Sequence, residues 1–125
     1  MISLNKVKTQ AKLLAKQDGI KLKEAFELLA QQANHKDWKS YKDSLDIDWY
    51  AKHSPFLNQW FAHYDEASKY LQESGGYLLS YKGQYFIAQK EYITHLGFDP
   101  ENHVWQRINY DATSSKALNL LKKYL

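Results

Sequence analysis

Over residues 4–34, apolar side chains recur at spacings of three and four, the period of a helix buried along one side. Leu4, Val7, Ala11 and Leu14 form one such stripe, with Ser3 placed to cap the helix and Asp18 near its end. Gly19 supplies the left-handed residue that closes a helix, and Ile20 the apolar residue that follows it. A second helix is predicted from Lys21 to Asn34. Its stripe is Leu22, Ala25, Phe26, Leu29 and Ala33, broadened by Leu28 and Ala30. Asn34-His35-Lys36 breaks the pattern, and Asp37 caps a short third helix carrying Trp38 and Tyr41. Together these make a three-helix mini-domain over residues 1–45, with a core too small to be more than marginal alone.

The second part, residues 46–125, changes character. Asp46-Ile47-Asp48 reads as a connection, and Ser54-Pro55 as a helix start, a capping serine followed by proline at the first helical position. Phe56, Leu57, Trp60, Phe61, Tyr64, Ala67 and Leu71 follow at helical spacing, predicting a helix that ends before Gly75-Gly76. A hairpin follows: Tyr77 to Tyr81, a turn at Lys82-Gly83, then Gln84 to Ala88. Glu91 to Leu96 forms a helical turn or two closed by Gly97. Asp99-Pro100 starts a short helix that buries Val104, Trp105 and Ile108. A last helix begins at Thr113, Ser114 or Ser115 and buries Ala117, Leu118 and Leu121. Because two strands cannot stand alone, the hairpin must pack on helices. The expected fold class is mostly α with one β-hairpin (α+β), a helical mini-domain followed by helix, hairpin and short helices, packed as one unit with the first part.

The stretch Ala25-Phe26-Glu27-Leu28-Leu29-Ala30-Gln31-Gln32-Ala33-Asn34-His35-Lys36-Asp37-Trp38 resembles a small helical domain called glyoxalase-related. In that family a first helix and a glycine precede a second helix that closes on a short basic-Asp-Trp segment, an order matched over about residues 5–45. The resemblance implies a helical fold and an association with glyoxalase-superfamily proteins and with plasmids and other mobile elements. It implies no activity, because the metal ligands of glyoxalases belong to a separate βαβββ module of which this sequence has no trace.

Composition narrows the classes. The 125 residues are 44% apolar and 25% charged, which excludes a wholly disordered, collagen-like or membrane-embedded chain. Without cysteine there are no disulfides and no thiolate metal sites. Lysines at 6, 8, 12 and 16 interrupt any apolar leader in the first 20 residues, so a cytoplasmic protein with no membrane partner is expected. The net charge of +3 is uneven: residues 1–42 carry nine lysines against four acids, and the remainder is slightly acidic. A basic first third suits a polyanion partner.

No catalytic residue is nominated, and no metal or cofactor is expected. Glu91 and His95 share a helix face, with His103 eight residues on, but the spacing matches no zinc motif. Asp46 and Asp48, with Lys52 nearby, present carboxylates two apart, an arrangement that loops also use simply to cap helices. Gly75-Gly76 precedes a strand rather than a helix opened by Lys-Ser or Lys-Thr, so it is no phosphate-cradling loop.

Nucleic-acid binding is the sharper expectation. Lys6, Lys8, Lys12, Lys16, Lys36, Lys39 and Lys42 would contact DNA or RNA backbone independently of sequence, since 16 lysines to one arginine disfavour base reading. Tyr81, Lys82 and Tyr85 would add a secondary surface on which unpaired bases stack. The alternative is a protein-binding adaptor or inhibitor of a host or mobile-element-targeting system, anchored by Trp49, Tyr50, Trp60 and Tyr64 of the aromatic-rich second part.

Overall fold

The first three helices form where their caps lie. In the computed structural model, which describes residues 3–52 and 54–125, α1 spans Leu4–Asp18. The Ser3 hydroxyl accepts the Lys6 N–H at its start, and Gly19, at φ +64°, closes it. Helix α2 (Leu22–Gln32) ends through Asn34 in the same left-handed conformation, where the His35 N–H reaches back 2.9 Å to the Ala30 carbonyl. Helix α3 (Trp38–Ser44) is capped by two carboxylates: Asp37 accepts the Ser40 N–H at 2.8 Å, and Glu27 of α2 accepts the Trp38 N–H at 3.1 Å. Phe26 stacks on Trp38 at 4.3 Å. Residues 25–38 thus include those that lock α2 to α3.

The core of this first unit is Leu4, Val7, Ala30, Tyr41 and Leu45, flanked by Leu29, Ala33, Trp38 and Ile47. Leu22 and Leu28, expected on the buried stripe of α2, are exposed instead, because the small Ala25 and Ala30 carry the close approach to the neighbouring helices. Residues 46–48 are bound to α1: the Leu4 N–H donates to the Asp46 carbonyl, and the Asn5 amide both donates to and accepts from the Asp48 backbone. The first unit accordingly runs to Asp48, and the second begins at Trp49.

In the second unit a three-stranded antiparallel sheet runs in the order β1 (Gln59–Phe61), β3 (Gln84–Ala88), β2 (Tyr77–Tyr81). The hairpin is as expected, its turn made by Lys82 and Gly83, both at positive φ. The helix expected from Ser54 is not: residues 59–61 are a strand, and α4 spans only Tyr64–Ser74. Ser54 caps a local turn, accepting the Phe56 N–H. Trp60 lies opposite Phe86 and stacks on it at 4.5 Å, while Phe61 lies opposite Tyr85 and joins the α4 side. β1 is a three-residue strand at the edge of the sheet, too short to show an alternation, so its adjacent aromatic residues fit a helix stripe as well.

Successive residues of a strand face opposite sides. One side of the sheet, with Leu78, Ile87, Phe61 and Tyr85, packs on Ala67, Tyr70 and Leu71 of α4. Rings dominate the other side, where Phe86 meets Tyr92 of α5 (Lys90–His95) edge-on at 5.8 Å. Tyr77 on the same side meets Trp105 of α6 (Val104–Arg107) at 4.9 Å. Helix α7 (Ser115–Tyr124), capped by Ser114, buries Ala117 and Leu121. Residues 110–112 pair along the free side of β2 through Leu78. Among the described residues no helix is long and apolar enough to cross a membrane.

Candidate nucleic-acid interface

Each residue of α1 turns the helix by about 100°. Lys8, Lys12 and Lys16, four apart, therefore share one side, over about 12 Å of axis or three to four base-pair steps of a duplex. Lys6 projects about 160° away from Lys8, on the other side. The buried seam of Leu4 and Val7 against Tyr41 and Leu45 brings α3 to this helix, and with it Lys42. Partial burial pushes the Lys8 ammonium down to about 8, and the charges of Lys42 and Lys12 push in the same direction. Lys42 is also lowered by burial, against the opposing pull of Asp43. Lys39, exposed and three residues before Lys42, lies toward the same side of α3, whereas Lys36 sits in the turn after α2.

Of the seven lysines expected to act together, Lys12 and Lys42 lie close enough to Lys8 to act on its charge, Lys16 shares the Lys8–Lys12 side of α1, and Lys39 lies one turn before Lys42 on α3. The expected excess of charge is reduced by the true boundary, because residues 1–48 hold nine lysines against seven acids. Of those acids, Glu27 and Asp37 cap α3, while Asp43 lies close enough to Lys42 to act on its charge. Positive charge is concentrated by position, not by composition.

In the second unit the nominated residues are redistributed. Tyr81 and Tyr85 lie on opposite faces of the hairpin and form no common platform. Tyr85 packs toward α4 and meets Tyr64 at 5.7 Å, while Tyr81 stacks on Tyr50 at 4.5 Å with the Lys82 ammonium 5.3 Å from its ring centre. Trp49, nominated as a surface anchor, is only 3% exposed, packed against Phe98 and Trp105. Its carbonyl accepts the Tyr92 hydroxyl. Tyr64 is exposed at the start of α4, its hydroxyl donating to Asp111, a bond that raises its pKa above the usual tyrosine value. Tyr50 and Trp60 meet at 6.2 Å and remain 37% and 38% exposed. Residues from the nucleic-acid expectation (Tyr81, Lys82) and the protein-binding one (Tyr50, Trp60) thus make one continuous surface.

Exposed Phe56 and the fully exposed Leu57 were not singled out in the sequence as surface residues, because the helix expected there would have buried them. Among the described residues no three His, Asp or Glu side chains are placed to hold a metal. His95 instead packs on Phe56, and His103 on Tyr124. His53 lies outside the described residues. A cleft of about 610 Å³ lies between the end of α4 and the start of α5, with Lys90 and Glu91 the charged residues among the described ones that line it. No family model, no curated protein and no solved structure matches this chain.

Proposed function

We propose that the protein is a small non-enzymatic accessory protein that binds nucleic acid through the lysines of its first unit. Lys8, Lys12, Lys16 and Lys42 contact backbone phosphates, with Lys39 at the edge, independently of base sequence. The observation that carries this reading is the convergence of Lys42 from α3 on Lys8 and Lys12 of α1, close enough for their charges to disfavour protonation of Lys8. A phosphate placed there relieves that repulsion and releases condensed counterions, the main source of sequence-independent affinity. The resemblance of residues 25–38 to a helical domain of mobile-element proteins fits such an accessory role in the cytoplasm.

The test is anisotropy of fluorescent DNA and RNA titrated with the full chain and two sets of glutamine variants. Changing Lys8, Lys12, Lys16 and Lys42 together is expected to abolish binding at moderate salt, while changing Lys6 and Lys36 leaves most of it. Equal loss from both sets would mean that net charge, not this surface, drives binding. Unimpaired binding by the fourfold variant would refute the assignment.

A further inference from the structure

We infer that the surface formed by Tyr50, Trp60, Tyr81 and Lys82 in the second unit is a separate site for unpaired nucleobases, giving the protein a preference for single-stranded nucleic acid. Three observations carry it. First, the rings are pre-assembled. Tyr50 is stacked on Tyr81, and Trp60 on the fully buried Phe86. The two exposed rings are therefore backed by others, and a base stacking on them meets side chains already held in place.

Second, charge is segregated. Residues 49–64 and 74–90, which supply all three strands, contain no aspartate or glutamate but carry Lys52, Lys82 and Lys90. All seven acids of the second unit lie elsewhere, on α4, on α5 and between residues 99 and 111. Lys82 sits beside the rings, its ammonium 5.3 Å from the centre of Tyr81, in reach of a phosphate flanking a stacked base.

Third, the surface combines exposed rings with an exposed turn at Lys82-Gly83. In a duplex the base faces are already stacked on one another, so only an unpaired strand offers them to Tyr50 and Trp60. An acidic peptide would answer the lysines but leave the rings without planar partners.

The test uses the full isotopically labelled chain, titrated separately with an oligothymidylate, a mixed-sequence duplex of equal length and polyglutamate, and followed by NMR. Oligothymidylate is expected to shift the Tyr50, Trp60 and Lys82 signals, with duplex and polyglutamate leaving them in place. Trp60→Ala should weaken single-strand binding roughly 5- to 150-fold, the range for losing one stacked base. Because Trp60 also packs on Phe86, Lys82→Glu, at an exposed turn, provides a second variant that tests the site without touching the core; it should also weaken single-strand binding. Shifts at Lys8 and Lys42 alone would overturn this site while leaving the first unit's role intact. Shifts at Tyr50 and Trp60 alone would do the reverse. Equal shifts with polyglutamate would overturn the inference in favour of an acidic protein partner, and no shift with any probe would overturn it outright.

Discussion

Replacing Lys8 with methionine keeps an unbranched stem of similar length and removes the charge. In the folded chain the Lys8 ammonium titrates at about 8, well below the ordinary lysine value of 10.5. A base whose pKa falls on folding holds its proton more tightly in the unfolded chain. Its charge therefore costs folding stability below pH 8, and that cost is relieved as pH rises from about 8 to 10.5. The full shift would correspond to roughly 3.4 kcal/mol, but the half-buried side chain still reaches solvent, which screens the effect to about 1 kcal/mol. Lys8→Met should thus be about 1 kcal/mol more stable than the parent in urea denaturation near pH 7, and should lose the parent's rise in stability toward pH 10. The same variant should bind duplex more weakly, with a salt slope reduced by about 0.9. A variant no more stable than the parent near pH 7 would refute the reasoning that burial and the charges of Lys42 and Lys12 together make the Lys8 charge costly to folding. A more stable variant that binds unchanged would separate Lys8 from function.

Other changes test the fold that positions these surfaces. Gly76 lies at φ +112°, and a Cβ there would meet Ile87 Cγ2 at 2.6 Å and the Ala88 carbonyl at 3.0 Å. Gly76→Ala should cost about 2–3 kcal/mol, read by thermal melting, and a neutral effect would contradict the close approach of the α4–β2 turn to β3. Asp37→Ala removes one cap of α3 and should cost about 1 kcal/mol in chemical denaturation, with Lys42 less firmly presented and duplex binding weakened accordingly. Trp105→Ala empties a fully buried site and breaks the indole bond to the Asp99 carbonyl, for a loss of about 3–5 kcal/mol.

What could be read in advance was local. Ser3, Asp37 and Ser114 cap helices through bonds made within three residues, and Gly19 ends α1 by its own conformation, so these limits were visible in the sequence. The helix expected from Ser54 failed because Trp60 and Phe61 extend a helical stripe with Phe56 and Tyr64 as readily as they form a three-residue edge strand. Only pairing with β3 distinguishes the two. The sites divide in the same way. The spacing of Lys8, Lys12 and Lys16 follows from the helix period, but the approach of Lys42 depends on Tyr41 and Leu45 packing against Leu4 and Val7. Neighbours Trp49 and Tyr50 meet opposite fates, one buried on Phe98 and Trp105, the other exposed on Tyr81. No spacing rule separates them, because the difference arises from which rings of distant segments they meet.

The most direct test of phosphate binding by the first unit is the salt dependence of duplex affinity for the parent and for the variant with Lys8, Lys12, Lys16 and Lys42 changed to glutamine. The parent should give a straight line of log K against log salt, and the variant a slope smaller by about 3.6, at about 0.9 per lost phosphate contact. Parallel lines for the two proteins would contradict the assignment of these lysines to the phosphate backbone.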